Sequence, residues 1–457
     1  MVLQRNNDVN IWGKATPGAQ VTIQPSWDDK TYSVKADKNG NWISKVKTVD
    51  AGGPYTITIS DGEPLILDNI LLGEVWVSGG QSNMEMRVQG FTNQPIYGAL
   101  EAILNAPKNP QMRFFTVDRA ISDSPTEDCG GEWLEASPES VANFSACAYF
   151  FGKQLNDILD VPIGLITSNW SGSSIEPWIE ESIYESLEGI DKNASINRSK
   201  KEPQQAPGVL YNGMINPIKD FTAKGFIWYQ GESNRGYPDD YVVLLSTMIN
   251  SWREKWGDKD MPFYMVQLAP FPYGKRDGAS LPLMIEAQYK VASQLPKVGI
   301  AATTDIGSPV CIHPPYKKEV GQRLAILALQ NDYGVKGLPL PSPTYKSMKI
   351  DGNKVTLDFN NVMCHPDRWN ANAFQVYFDD KYQRPVGFEI AGEDQVFYPA
   401  TGIFTDNSTT IELSSDSVPQ PVAVRYYFHN YMPDANVKTG LGQPLAPFRT
   451  DNWPIKE

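Results

Sequence analysis

Residues 72–84 read Leu-Gly-Glu-Val-Trp-Val-Ser-Gly-Gly-Gln-Ser-Asn-Met. The run 72–77 is short, mostly apolar, and rich in β-branched and aromatic side chains, which predicts a buried β-strand. Gly79 and Gly80 follow this run and are followed by Gln81, Ser82 and Asn83. The stretch therefore predicts a strand that ends in a glycine-bearing polar loop carrying Ser82.

Around this stretch, residues 71–333 alternate short apolar runs with helical patterns. The further strand candidates are Pro162–Thr167, Gly225–Tyr229, Phe263–Leu268 and Val298–Thr303. Residues 239–256 and 317–330 carry apolar side chains at three- and four-residue spacing, which predicts helices. Alternation of this kind predicts an α/β fold in which a largely parallel sheet is flanked by helices.

The two ends of the chain have a different pattern. Residues 1–70 contain alternating apolar runs and an Asn39-Gly40 hairpin signal, which predict a small N-terminal β-sandwich. Residues 334–457 return to strand-like runs, and this region is predicted to be a C-terminal β-sandwich-type domain. The strand candidates here are Lys354–Phe359, Phe374–Phe378, Thr410–Leu413 and Val422–Tyr427. We therefore expect three domains: 1–70, 71–333 as the α/β domain, and 334–457.

Composition excludes several kinds of partner. The 457 residues have a net charge of −13, and nucleic acids and anionic membranes are bound through basic patches. No apolar run approaches the roughly 18 residues that a membrane helix needs, and we expect no signal peptide in this sequence. Four scattered cysteines and three histidines lack metal-ligand spacing, so we expect no metal. Spacing alone does not decide disulfides, the compartment or the oligomeric state.

The loops that follow the strands carry the candidate chemistry. In an open parallel sheet, ligands bind beyond the carboxyl ends of the strands. These ends carry Ser82, then Gly172, then Gln230 with Asn234, and finally His313. A serine needs a base to act as a nucleophile, and histidine titrates near neutrality. Donors from the Ser82 and Gly172 N–H groups and an amide of Gln230 or Asn234 suit an oxyanion.

Each of these residues also has a structural interpretation. A serine after a glycine is often a turn residue, and a single histidine is often a hydrogen-bonded core residue. Gly172 could close a turn, while Gln230 and Asn234 could brace loops. The combination of all five at strand ends, rather than any one of them, favours acyl transfer.

Four blocks of residues resemble the sialate O-acetylesterase family of the SGNH hydrolase superfamily. They are Gly80-Gln81-Ser82-Asn83-Met84, Ser174-Ile175-Glu176-Pro177-Trp178, Trp228-Tyr229-Gln230-Gly231-Glu232-Ser233-Asn234 and Ile312-His313-Pro314. The resemblance extends over nearly the whole chain. It implies cofactor-free and metal-free hydrolysis of O-acetyl esters on sugars, with acetylated sialic acids as the expected substrate. Exported relatives imply a periplasmic or secreted location.

The resemblance also assigns roles to individual residues. Ser82 would be the nucleophile, His313 the base, and Gly172 with the third-block amide the oxyanion donors. Relatives often carry an acidic residue two positions before the histidine, but Cys311 stands there in this chain. A thiol cannot stabilise an imidazolium as a carboxylate does. Asp305 could supply the acid, a backbone carbonyl could orient the ring, or activity could be reduced.

Two other functions remain compatible with the sequence. The same chemistry could act on acetylated xylan or another glycan. Alternatively, Cys311 and Ile285 depart from the family pattern, since relatives often have arginine at the latter position. These departures would suit a carbohydrate-binding protein with a degenerate hydrolase core.

Overall fold

The computed structural model describes residues 1–364, 372–375 and 381–455. The chain forms two compact units: residues 1–230 with 243–263, and residues 231–242 with the segment from 264 onward. No helix in the described part of the chain is long and apolar enough to cross a membrane.

The first unit contains strands β1–β11, helices α1–α6 and most of α7. Its strands are β1 (Val2–Gln4), β2 (Asp8–Lys14), β3 (Gln20–Pro25), β4 (Tyr32–Lys35), β5 (Asn41–Lys47), β6 (Gly52–Ser60), β7 (Pro64–Gly80), β8 (Met112–Thr116), β9 (Trp133–Glu135), β10 (Ile163–Asn169) and β11 (Gly225–Tyr229). Its helices are α1 (Ser82–Glu85), α2 (Ala99–Asn105), α3 (Pro138–Asn143), α4 (Ala146–Leu159), α5 (Glu181–Ser186), α6 (Lys192–Ser199) and α7 (Pro238–Trp256).

Strand β7 is the central strand of this unit. It pairs in parallel with β10 on one side and β11 on the other, and β10 continues in parallel to β8. The short edge strand β9 runs antiparallel to β8, and the N-terminal part of β7 pairs antiparallel with β6. The predicted strands at 72–77, 162–167 and 225–229 are therefore present, and the sheet is largely parallel as expected. The α/β class with flanking helices is confirmed, since α4 packs against β10.

The N-terminal strands form two layers. β3 pairs with β4 and β6, while β2 pairs with β5, and side chains from both layers share one apolar core. Val9, Val21 and Ile57 are buried in this core. The Asn39-Gly40 turn is present, with φ of 82° at Gly40, but the hairpin prediction is wrong. β4 and β5 belong to different layers, so this turn joins two sheets instead of two paired strands.

The second unit begins with strand–helix alternation and ends in β-structure. Its elements are β12 (Phe263–Val266), α8 (Ser280–Gln294), β13 (Val298–Ala301), α9 (Lys317–Asn331), β14 (Thr344–Asp351), β15 (Lys354–Asn360), β16 (Phe374–Gln375), β17 (Phe388–Ala391), β18 (Phe397–Pro399), β19 (Thr401–Thr405), β20 (Thr410–Ser414), β21 (Ala423–Tyr426), β22 (Lys438–Thr439) and β23 (Phe448–Arg449).

Two antiparallel sheets build the C-terminal part of this unit. One has the order β14-β15-β20-β19 and the other β18-β17-β21-β23. Leu357 and Leu413 of the first sheet and Ile390 and Val424 of the second are fully buried in one cluster. The predicted C-terminal β-sandwich is therefore observed, although residues 376–378 of one strand candidate lie outside the described residues. Because β7 crosses residue 70 without a break, the three-domain division stays a prediction.

The turn after β7 generates a stability prediction. Gly80 has φ of 143°, and a Cβ there would lie 2.2 Å from the Tyr229 carbonyl oxygen. Gly62 has nearly the same φ, 140°, but no atom within 4 Å of such a Cβ. Gly62→Ala should cost about 1–3 kcal/mol for backbone strain, and Gly80→Ala about 1–3 kcal/mol more for the clash. Thermal unfolding midpoints of both variants measure this, and equal midpoints would contradict it.

Candidate active site

The Ser82 turn is shaped by close packing at the end of β7. A Cβ at Gly79 would lie 2.8 Å from the Trp228 ring, so only glycine fits beneath that indole. Gln81 donates its backbone N–H to the Tyr229 carbonyl at 3.0 Å, which ties the turn to the end of β11. Ser82 is the first residue of α1 and is 8% exposed. The turn thus holds the serine in a single backbone conformation.

Helix α1 is held in place from the neighbouring helix α4. The Ser145 hydroxyl donates to the Met84 carbonyl at 2.6 Å, and the Cys147 thiol donates to the Asn83 carbonyl at 3.6 Å. Ser145 is also the N-cap of α4, where its oxygen accepts from the Ala148 N–H. None of the four cysteines forms a disulfide.

The Gly172 loop follows β10 and makes a four-residue turn. The Ser173 N–H donates to the Trp170 carbonyl at 3.1 Å, and Gly172 has φ of 78°. A turn that needs positive φ at its third residue favours glycine there. The structural interpretation of Gly172 as a turn residue is therefore correct. The turn does not exclude a further use of its N–H.

Two side chains that the sequence did not single out fix this loop. Glu85 accepts from the Ser171 N–H at 2.7 Å and pairs with Arg119, so α1 and the Gly172 loop are joined. Gln205 donates to the Gly172 carbonyl at 2.8 Å and accepts from the Ser174 N–H at 2.9 Å. Glu85 directly extends the Ser82 block and could have been noticed. Gln205 lies in a segment without any strand or motif signal.

Gln230 is fully buried at the end of β11. Its Nε2 donates to the Ser173 carbonyl at 3.2 Å, so the amide braces the Gly172 loop. Within the first unit, the structure therefore brings Ser82, Gly172 and Gln230 together through the three adjacent strand ends.

Asn234, His313 and Asp305 belong to the second unit. Asn234 is 1% exposed and ends a short 3₁₀ turn that starts after Gly231. Its backbone N–H donates to the Gly231 carbonyl at 3.0 Å, and its own carbonyl accepts from Tyr237 at 2.8 Å. This turn fixes the backbone from which the amide projects.

His313 is held in its neutral form. Burial, together with the neighbouring Lys317 ammonium, lowers the pKa of His313 to about 4. Lys317 is fully buried at the start of α9, so water screens its charge poorly. The imidazole is therefore neutral at neutral pH and can accept a proton.

Cys311 contacts the main chain of the histidine. The Cys311 thiol lies 3.2 Å from the His313 carbonyl oxygen and donates to it. The residue at the family's acidic position thus fixes the backbone that carries the histidine.

Asp305 is engaged by two cations. Arg323 donates to both of its carboxylate oxygens at 2.8 Å, and Lys438 lies 3.1 Å from Oδ2. Burial acts to raise the pKa of Asp305, but these cations outweigh it and the pKa is lowered. Arg323 also donates to the Ala302 carbonyl at 2.7 Å. The carboxylate therefore connects the loop after β13 with α9 and with β22.

Ile285, the other departure from the family pattern, is buried in α8. The next residue, Glu286, pairs with Arg449 at 2.9 Å. Across residues 1–364, 372–375 and 381–455, no three His, Cys, Asp or Glu side chains are grouped so as to hold a metal ion.

Comparison with known proteins places the chain among sugar esterases. A family model described as carbohydrate esterase, sialic acid-specific acetylesterase, matches residues 72–330. The sialate O-acetylesterase of Homo sapiens is 30% identical, with 78% of this chain and 74% of that protein covered. The Mus musculus sialate O-acetylesterase is 28% identical, with 77% and 75% covered.

One solved structure is similar along the full length. A carbohydrate acetylesterase from Xanthomonas citri superposes with a TM-score of 0.86 at 36% sequence identity. The match covers 99% of this chain and 97% of the other.

The opposite pKa shifts of two histidines can be measured directly. We expect the His313 imidazole to titrate near pH 4, whereas hydrogen bonding to Glu389 raises the pKa of His429 above its ordinary value of about 6.5. At pH 5.5, His313 should therefore be neutral and His429 charged. NMR titration of the ring protons, assigned with His313→Gln and His429→Gln, checks both values. A His313 midpoint at 6.5 or above would contradict the lowered pKa.

Proposed function

Because the chain belongs to the carbohydrate esterase family of sialic acid-specific acetylesterases, we propose that Ser82 and His313 hydrolyse O-acetyl esters of sialic acids. Membership confirms the predicted family and the predicted class, a carboxylic ester hydrolase acting on carbohydrates. The observation that carries the assignment is the common end of β7, β10 and β11, which brings Ser82 to the same sheet edge as Gly172 and Gln230. The lowered pKa of His313 leaves the imidazole of the family's histidine block neutral.

The proposed reaction passes through an acetyl-enzyme. His313 takes the Ser82 hydroxyl proton as the serine oxygen bonds to the acetyl carbonyl carbon. The carbon–oxygen bond to the sugar then breaks, and His313 returns the proton to the departing sugar oxygen. Water attacks the acetyl group, His313 takes a proton from it, and acetate leaves as the serine hydroxyl is restored.

Backbone and amide donors would stabilise the tetrahedral intermediate. The Ser82 N–H lies at the start of α1, where helical N–H groups have no intrahelical acceptor. We assign the second donor to Gly172 N–H. We propose the Asn234 amide as the third donor, and a bracing role for Gln230, whose Nε2 donates to the Ser173 carbonyl.

We propose that the enzyme operates as a serine–histidine dyad. Asp305 was the sequence's candidate for the acid, but Arg323 and Lys438 already contact its carboxylate oxygens. We propose that a backbone carbonyl holds the His313 tautomer, in a segment where the Cys311 thiol donates to the His313 carbonyl. Asp305 would then act by positioning β13 and α9.

A neutral glycan ester is the second candidate substrate. The similar protein from Xanthomonas citri is described as a carbohydrate acetylesterase, without reference to sialic acid. Defined acetylated sugars would separate the two classes. We also propose a periplasmic or secreted location, from the resemblance to exported relatives, and fractionation of the source cells with an antibody would test it.

Removing the nucleophile gives the first activity prediction. Ser82→Ala should lower kcat on 4-nitrophenyl acetate by roughly three or more decades, because no other group can form the acetyl-enzyme. The assay contains a chelator, so that any contaminating metal-dependent esterase is silent. Ser186→Ala, which removes an exposed serine hydroxyl that donates to the Ile183 carbonyl in α5, is the matched control. Equal rates for wild type and Ser82→Ala would remove Ser82 from the mechanism.

The dyad assignment predicts that Asp305→Asn damages stability more than chemistry. Losing the carboxylate leaves Arg323 and Lys438 without their shared anion, and breaking a buried ion pair costs about 3–5 kcal/mol. Thermal unfolding should show this loss, while Glu127→Gln, which breaks an exposed pair with Lys14, should not.

The turnover of the same folded variant decides the role of Asp305. We expect kcat of Asp305→Asn on 4-nitrophenyl acetate to fall less than about tenfold. A fall near 10⁴, the loss seen when a triad carboxylate is neutralised, would instead make Asp305 the acid of a triad.

A further inference from the structure

The second unit contains a cavity that the proposed chemistry does not use. Its volume is about 670 Å³, within the range of pockets that hold small organic ligands. Arg235 and Tyr273 form one side, and Phe397, Phe428 and Trp453 contribute aromatic walls. All of these residues belong to the second unit.

Arg235 is held in a defined orientation at this cavity. Its guanidinium carbon lies 3.6 Å from the centre of the Tyr273 ring, and its Nε donates to the Ser280 hydroxyl at 2.9 Å. Ser280 in turn donates to Asn430, whose amide also donates to the Lys275 carbonyl at 2.8 Å. A guanidinium fixed in this way loses little conformational freedom when it binds a ligand.

The charge of Arg235 is not neutralised inside the protein. Within the described residues, no carboxylate lies within ion-pair distance of its guanidinium. The other arginine of the cavity, Arg425, differs, because Asp451 binds it through two hydrogen bonds of 2.9 and 2.8 Å. Arg235 is therefore the arginine in this cavity with charge left for a ligand.

The other charged groups of the cavity have partners or neighbours of opposite sign. Lys275 adds a positive charge and Asp277 a negative one, while His429 is hydrogen-bonded to Glu389 at 2.9 Å. The buried Glu232 carboxylate acts on the Tyr273 hydroxyl, as Arg235 does, but it forms no ion pair with that guanidinium. Arg235 thus places a local positive charge in the cavity of a chain whose net charge is −13. A local excess of the opposite sign attracts an anion.

We propose that this cavity binds the carboxylate of an acidic sugar, with the terminal nitrogens of Arg235 donating to its two oxygens. A guanidinium fork matches a carboxylate in geometry as well as in charge, and the aromatic walls provide apolar contact for a sugar ring. The inference rests on the proposed function, and it names Arg235 as the residue that selects acidic over neutral acetylated sugars. Arg235 directly follows Asn234, our proposed oxyanion donor, in the chain.

The test compares an acidic sugar with its uncharged ester. Acetate release from an O-acetylated sialic acid and from its methyl ester gives a ratio of kcat/KM values for each variant. Arg235→Gln should lower that ratio about 10- to 100-fold, because it removes a charged hydrogen-bonding partner from the carboxylate alone. Arg235→Lys keeps the charge but not the fork, so its ratio should lie between those of wild type and Arg235→Gln.

Arg276→Gln is the matched control. It removes the same charge from the segment that carries the cavity residues Lys275 and Asp277, but Arg276 lies over Tyr431 and does not line the cavity. Its ratio of kcat/KM values should equal that of wild type. A drop as large as that of Arg235→Gln would show that any lost positive charge has the same effect, and this would overturn the proposal.

Two further arms identify the ligand and separate the possible failures. An O-acetylated glucuronic acid and its methyl ester show whether uronic acids share the site with sialic acids, since either carboxylate supports the proposal. If wild type hydrolyses 4-nitrophenyl acetate but its acid-to-ester ratio of kcat/KM equals that of Arg235→Gln, only the carboxylate proposal is overturned. Wild type without any Ser82-dependent hydrolysis overturns the proposed function instead.

Discussion

The common register of three parallel strands is the constraint on which the first unit depends. Gly80 at the end of β7 lies opposite Asn169 of β10 and Tyr229 of β11, so the three strands end at one level. Ordinary backbone pairing therefore delivers three polar loops to the same edge, where ligands of such sheets bind. The Ser82 turn then depends on glycine, because the Tyr229 carbonyl occupies the space that a side chain would need.

The loops at this edge also hold one another. Glu85 connects α1 to the Gly172 loop by accepting from the Ser171 N–H. Gln205 donates to the Gly172 carbonyl, and Gln230, at the end of β11, donates to the Ser173 carbonyl. Each contact uses a side-chain carboxylate or amide to satisfy a loop backbone group, which would otherwise be costly to bury. An oxyanion site needs donors that are fixed before the reaction, and such a network provides that rigidity.

Electrostatics divides the polar groups of the second unit into two kinds. Some are neutralised internally, as Asp305 is by Arg323, and such groups connect elements of the fold. Others keep reactivity or charge: His313 stays neutral because of burial and Lys317, and Arg235 keeps its positive charge beside an aromatic ring. The first kind stabilises the fold, and the second kind supports the proposed roles of His313 in chemistry and of Arg235 in recognition.

Sequence alone determined the strands around β7, the α/β class and the family, because hydrophobic periodicity and the Ser82 and His313 blocks are local signals. It could not determine what depends on contacts between distant segments. The Asn39-Gly40 turn joins two sheets instead of a hairpin, since strand partners are chosen by the shared core. Asp305 was a reasonable acid by position, but only the tertiary structure brought it to Arg323, eighteen residues later in the chain. Two charges pair when the fold brings them close in space, and their spacing along the chain does not show this.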